Sequence, residues 1–162
     1  MNESRGYSLA LASLSVALLT VSQAVGNLSG GYLGDRYSKQ LVSTVCMFVH
    51  ASAMVLLAYA PTFPLILLAS VMHGLAWGTR GPLMMAIRAD YFGRTNYGTI
   101  VGISQPIVML GMTTGPIVAG FLFDQTGSYE VGFTTLATLA ALGSVFFMLS
   151  PRPLRPGEEA AS

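Results

Sequence analysis

Residues 41–60 read LVSTVCMFVHASAMVLLAYA, twenty positions without an aspartate, glutamate, lysine or arginine. A helix of about 20 predominantly apolar residues crosses the ~30 Å hydrocarbon core of a bilayer. Lipid admits only helices and closed barrels, and this run lacks the period-2 alternation that a barrel requires. Comparable apolar runs occupy residues 8–32, 63–87, 97–123 and 131–150. The sequence therefore predicts an all-α fold, a bundle of five transmembrane helices over residues 1–150.

The composition of the chain excludes an ordinary water-soluble domain. Only 9% of the 162 residues are charged and 52% are hydrophobic, against about 25% charged in an average soluble protein. The formal net charge of +1 offers no basic surface for a nucleic acid. Cys46, His50 and His73 form neither a disulfide framework nor a recognisable zinc motif. We expect the lipid bilayer as a partner, and no nucleic acid, metal or other cofactor.

Basic residues near the span ends predict the orientation, because lysine and arginine stay on the cytoplasmic side. The ends expected on one side carry six of them: Arg36, Lys39, Arg88, Arg94, Arg152 and Arg155. The ends expected on the other side carry Arg5 alone. We therefore expect an integral membrane protein, of the plasma (inner) membrane, with its N-terminus outside and residues 151–162 forming a cytoplasmic tail.

An alternative for the first apolar run is a cleaved signal peptide with a small-x-small site at residues 22–24. Against this alternative, Glu3 offsets Arg5 in the leading segment, and the apolar run continues past the site toward Gly30. The first run is therefore interpreted as a permanent span.

The segment after the first span reads GYLGDRYSKQ over residues 31–40. It resembles the signature loop of the major facilitator superfamily, Gly-x-Leu-(Gly/Ala)-Asp-Arg-x-Gly-(Arg/Lys)-(Arg/Lys). Six of the eight defined positions match, and Ser38 and Gln40 are the two departures. The matching positions include Gly31, Gly34, Asp35, Arg36 and Lys39. The resemblance implies a partial major facilitator fold.

Residues 88–102 and 115–129 resemble the carboxy-terminal half of that superfamily, where they would flank helix eleven. On this alignment the five spans correspond to helices eight to twelve. The monocarboxylate and oxalate/formate branches are the most similar, although residues 8–32 lack the basic residue that some of their members carry in helix eight. The resemblance implies a fragment or a split half, completed by an amino-terminal helix bundle or a second copy.

Asp35 is the candidate for a conformational latch. A carboxylate at a span end can accept hydrogen bonds from the N-terminus of a neighbouring helix, whose dipole favours an anion. The resemblance implies that this acid holds one half against the other in the outward-facing state, with its partner in the missing half. The alternative is that Asp35 and Arg36 only mark a solvated loop.

Arg80 is the strongest candidate for lining a solute path, because a charge at the bilayer centre costs about 2.5 kcal/mol or more. Helical periodicity puts His73, Trp77 and Arg80 on one stripe, with an apolar opposite face expected to contact lipid. Weaker candidates for the same path are Gln23, Asn27 and Gln105. The alternatives are a structural arginine paired with a carboxylate or a helix C-terminus, and interhelical hydrogen bonds for the amides.

Glycines four residues apart predict close helix packing. They occur at Gly26/Gly30, Gly74/Gly78, Gly98/Gly102 and Gly111/Gly115. The last pair continues through Pro116 to Gly120, and a proline inside a helix removes a backbone hydrogen bond. We expect residues 111–120 to act in helix packing or as a hinge.

These features predict transport of a small polar or anionic solute by alternating access, in which two helix bundles rock around a midplane site. No acidic residue lies mid-span, so a coupling proton would need His73 or a carboxylate in the absent half. An alternative is a non-transporting remnant or interaction subunit. An enzyme is not expected, because the sequence contains no His-Glu-x-x-His or Gly-x-Ser-x-Gly motif.

Overall fold

The computed structural model describes residues 8–93 and 97–150, and five α-helices account for nearly all of them. Their bounds are α1 Leu9–Arg36, α2 Lys39–Tyr59, α3 Phe63–Phe92, α4 Tyr97–Thr126 and α5 Tyr129–Leu149. The described residues contain no β-strand. The prediction of an all-α helix bundle is confirmed.

The helices continue into segments that the sequence analysis assigned to connections. The signature stretch is mostly helical, because α1 runs through Arg36 and α2 begins at Lys39. The Ser38 hydroxyl accepts a hydrogen bond from the Leu41 amide, so the serine that replaces the family's glycine caps α2. Helices α3 and α4 are followed by Gly93 and Gly127, which have positive φ angles of 73° and 70°.

The helices pack in a chain of neighbours that differs from their order in sequence. α1 packs mainly on α3, α2 lies against both α3 and α5, and α4 packs on α5. The consecutive helices α1 and α2 barely touch each other. Helix α3 is therefore the centre of the bundle, with nine buried residues between Ile66 and Ile87.

The glycine pairs of α1 and α3 meet at one crossing. A Cβ atom added to Gly26 would lie 2.6 Å from the Leu75 carbonyl oxygen, and one added to Gly30 would lie 2.5 Å from the Thr79 carbonyl oxygen. Added Cβ atoms at Gly74 and Gly78 would overlap backbone atoms of α1. The face of α3 that was expected to contact lipid is therefore partly covered by α1.

Two sets of polar contacts define the two ends of the bundle. Lys39 Nζ lies 2.6 Å from Asp90 Oδ2, which joins the start of α2 to the end of α3. The Gln40 amide donates to carbonyl oxygens at the end of α5, those of Phe147 (2.9 Å), Met148 (3.2 Å) and Ser150 (3.0 Å). At the opposite end, Tyr59 Oη and Thr134 Oγ1 are 3.1 Å apart. The signature stretch and the ends of α3 and α5 therefore share one end of the bundle.

The basic residues used to predict orientation are only partly covered by the described chain. Arg36, Lys39 and Arg88 lie in helices near that shared end. Arg5, Arg94, Arg152 and Arg155 lie outside the described residues.

The outer surface of the bundle is apolar, as expected for contact with lipid. Leu28 is 82% exposed, Phe146 71% and Ile103 67%. By length and composition, α1, α2, α4 and α5 could each cross a membrane. Helix α3 has 30 residues and the length to span, and its polar residues lower its hydropathy.

The crossing of α1 and α3 generates a prediction about stability. Gly78→Ala should lower the free energy of unfolding by about 1–3 kcal/mol, because the added methyl group overpacks the contact with α1. Gly102→Ala is the matched control, because an added Cβ there meets nothing within 4 Å. It should leave stability unchanged or raise it by up to about 1 kcal/mol through helix propensity. Denaturation in detergent micelles measures both, and equal effects would contradict the crossing.

Candidate functional site

A half-open cavity of about 980 Å³ lies between the helices and is lined by residues from all five of them. α3 contributes His73, Ala76, Trp77 and Arg80, and α1 contributes Leu19 and Gln23. The walls formed by α4 and α5 are mostly apolar or aromatic and include Met112, Pro116, Tyr129 and Phe133. A ligand of this cavity would thus meet a few polar groups on a predominantly apolar surface, which is the usual character of small-molecule sites.

The polar stripe of α3 faces this cavity. The rings of His73 and Trp77 are stacked with their centroids 6.4 Å apart. Arg80 Cζ lies 5.2 Å from the centroid of the Trp77 ring, a cation–π distance. The three side chains follow one face of the helix because they are separated by four and three residues.

His50 of α2 is a cavity residue that the sequence analysis did not single out. Its ring centroid lies 4.2 Å from that of His73 and 5.6 Å from that of Trp77. His50 sits near the middle of the uncharged run 41–60, so a polar side chain at mid-span was the available signal. The sequence of α2 alone does not indicate which neighbouring helix the His50 side chain contacts.

Among the described residues, no carboxylate is paired with the Arg80 guanidinium. Arg80 makes no salt bridge there, and no aspartate or glutamate lines the cavity. Pairing of Arg80 with a carboxylate inside the bundle, one of the two structural alternatives, is therefore not found among residues 8–93 and 97–150. An unpaired guanidinium away from water is expensive, and an anionic ligand would offset that cost.

The other predicted path residues divide into two groups. Gln23 lines the cavity, and so do Gly111, Gly115, Pro116 and Gly120 of α4. The lining does not include Asn27 or Gln105. Asn27 is exposed beside the crossing of α1 and α3, where its Oδ1 lies 3.5 Å from the Cβ position of Gly81.

The α4 glycines do not pack against another helix in the described chain. Cβ atoms added to Gly111, Gly115 or Gly120 would meet nothing within 4 Å. Helix α4 continues through Pro116 without a break. These glycines therefore leave open space beside the cavity, and the hinge role stays a prediction.

The signature stretch lies away from the cavity lining. Arg36 Cζ is 4.6 Å from the centroid of the Tyr32 ring, one helical turn earlier. Gly31 is exposed, and a Cβ on Gly34 would lie 2.5 Å from a methyl group of Leu83 on α3. Asp35 is exposed and forms no ion pair with another described residue. Its latch role stays a prediction.

No group of three or more His, Cys, Asp or Glu side chains among the described residues could hold a metal ion. The long apolar helices, the lipid-like surface and the cavity beside Arg80 define a helical membrane protein with a candidate site between its helices.

Comparison with known proteins identifies the family. The family model described as Major Facilitator Superfamily matches residues 1–162. The chain belongs to the Major Facilitator Superfamily and is an integral membrane protein, so the expected family is confirmed. No solved structure gives a significant match to the chain.

The similar proteins include several transporters. The chain is 28% identical to monocarboxylate transporter 11 of Mus musculus over 153 residues, 88% of this chain and 34% of the relative. It is 30% identical to monocarboxylate transporter 12 of Mus musculus over 133 residues, which are 79% of this chain and 27% of the relative. It is 25% identical to the benzoate transport protein of Acinetobacter baylyi over 158 residues, which are 93% of this chain and 34% of the relative. The chain thus spans about a third of the length of these relatives.

The uncompensated charge of Arg80 generates a prediction that separates a binding arginine from a packing arginine. Arg80→Met should leave the free energy of unfolding unchanged or raise it, because it removes an unpaired charge and keeps an unbranched, flexible stem. Thermal denaturation in detergent micelles measures this change.

The matched control for Arg80→Met is Lys39→Met, which breaks the ion pair with Asp90. These side chains are 31% and 40% exposed, so the control should cost less than about 1 kcal/mol. A loss of more than about 2 kcal/mol for Arg80→Met, with little loss for Lys39→Met, would identify Arg80 as a packing residue.

Proposed function

We propose that this chain forms part of a secondary transporter that moves a small organic anion, most simply a monocarboxylate, by alternating access. The observation that carries the proposal is the Arg80 guanidinium, which faces an internal cavity without a carboxylate beside it. The planar guanidinium can hold a carboxylate with two parallel hydrogen bonds. The relatives named for monocarboxylate and benzoate transport support the same class of solute.

The proposal assigns the chain to the carboxy-terminal half of the superfamily fold, with α1–α5 as helices eight to twelve. An amino-terminal helix bundle or a second copy would then complete the solute path, in keeping with the third of the relatives' length that the chain spans. We further propose a plasma-membrane location, with the N-terminus outside and the C-terminus in the cytoplasm. No catalytic reaction is assigned to the site.

The proposal predicts that the chain binds a carboxylate by itself, because the cavity is formed within its own five helices. Benzoate and its neutral amide, benzamide, are matched probes, and calorimetry of the chain in lipid nanodiscs measures their dissociation constants. Benzoate should bind and benzamide should not. Arg80→Lys should weaken benzoate binding about tenfold or more, because the ammonium group lacks the planar fork.

Lys39→Met is the matched control for binding, since Lys39 is a cation outside the cavity lining. The dissociation constant of benzoate should stay within about twofold of the unchanged chain. Fluorescence of Trp77, the one tryptophan of the sequence, should change when benzoate binds, because the Arg80 guanidinium lies over that ring. Equal binding of benzoate and benzamide, or no effect of Arg80→Lys, would contradict the proposal.

A separate prediction distinguishes a transporter half from a complete transporter. In proteoliposomes the chain alone should not catalyse saturable benzoate uptake, since alternating access requires two bundles around the site. Binding without uptake would agree with the proposal. Saturable uptake that Arg80→Lys abolishes would instead mean that copies of the chain assemble into a working transporter. If the chain shows no benzoate binding and no uptake, that result would favour a non-transporting interaction subunit.

A further inference from the structure

The cavity holds a second polar group without a partner. His50 Nδ1 is buried and has no hydrogen-bond partner among the described residues. The other atom in this condition, Ser43 Oγ, belongs to a residue outside the cavity lining. A buried polar atom without a hydrogen bond costs about 1–3 kcal/mol. Because the residue also lines the cavity, the His50 imidazole is a second polar group, besides Arg80, that a ligand in the cavity can contact.

The Arg80 guanidinium and the His50 imidazole both lie near the same indole ring. Arg80 Cζ lies 5.2 Å from the Trp77 centroid, and the His50 centroid lies 5.6 Å from it. The guanidinium and the imidazole are therefore no farther apart than the sum of these two distances. A molecule the size of one substituted aromatic ring can contact both.

The lining between and opposite these groups favours a flat apolar body. Trp77 provides an aromatic surface on α3, and Met112, Pro116 and Phe133 line the cavity from α4 and α5. Among the residues that the structure describes, no acidic side chain lines the cavity to accept a hydrogen bond from a cationic or sugar-like solute. The lining therefore combines one anion-binding group, one hydrogen-bonding imidazole and aromatic walls.

We propose that the cavity takes a hydroxylated aromatic monocarboxylate, with its carboxylate on Arg80 and its ring hydroxyl, on the far side of the ring, hydrogen-bonded to the His50 imidazole. This inference rests on the proposed function, since it assigns the substrate class of the same site. His50 is then the residue that determines specificity for the hydroxyl group. His73, whose ring lies 4.2 Å from that of His50, is a positioning residue that holds the imidazole in place.

The test compares three probes on the chain in lipid nanodiscs by calorimetry: benzoate, 4-hydroxybenzoate and 2-hydroxybenzoate. The 4-hydroxyl group lies across the ring from the carboxylate and can reach His50, whereas the 2-hydroxyl group lies beside the carboxylate. 4-Hydroxybenzoate should therefore bind about fivefold more tightly than benzoate, the effect of one hydrogen bond. 2-Hydroxybenzoate should bind like benzoate.

His50→Phe keeps an aromatic ring against His73 and Trp77 and removes both nitrogen atoms. It should bring the dissociation constant of 4-hydroxybenzoate to that of benzoate and leave benzoate binding within about twofold. Arg80→Lys should weaken both ligands by the same factor. His50→Gln, which retains a hydrogen-bonding amide, should recover part of the preference, and thermal denaturation checks that each variant is folded.

The outcomes separate this inference from the proposed function. Benzoate binding that depends on Arg80, without a preference for the 4-hydroxyl group in the unchanged chain, would overturn the inference and leave the proposed function standing. A preference that survives His50→Phe would also overturn it. No Arg80-dependent binding of any of the three probes would overturn both.

Discussion

The crossing of α1 on α3 is the contact on which the rest of the bundle depends. Gly26 and Gly30 of α1 lie against the backbone of α3, and Gly74 and Gly78 of α3 lie against the backbone of α1. Close packing of this kind is a main source of helix association in lipid, where apolar side chains gain little by leaving the hydrocarbon. Because this face of α3 is taken by α1, the stripe of His73, Trp77 and Arg80 is turned toward the cavity.

The cavity lies beside a helix whose glycines do not pack closely against a neighbouring helix. Helix α4 also carries glycines, but Gly111, Gly115 and Gly120 face open space and not a neighbouring backbone. The same residue type thus joins α1 to α3 and leaves room beside α4. Polar groups that would be costly in a sealed core, the Arg80 guanidinium and the His50 imidazole, both face that room. Proteins accept such local costs mainly at functional sites.

The signature end of the bundle shows how ends are joined without close helix packing. The Lys39–Asp90 ion pair and the hydrogen bonds from Gln40 connect α2 to the ends of α3 and α5. These contacts are partly exposed, so each contributes little to stability. They lie outside the cavity lining, so the residues that join the helix ends differ from those proposed to bind the solute.

The sequence by itself determined the spans, the family and the strongest candidate of the site. Uncharged runs of about 20 residues have one stable state in lipid, the stretch 31–40 carries a family pattern, and a mid-span charge such as Arg80 marks a site on energetic grounds alone. The tertiary structure decided that His50 joins the α3 stripe, that Asn27 and Gln105 do not line the cavity, and that one set of glycines packs while another is open. Helical periodicity fixes which residues share a face. In lipid it does not fix whether that face meets hydrocarbon, another helix or a cavity. A face against lipid and a face against a neighbouring helix have similar hydropathy, so the packing geometry decides what each face contacts.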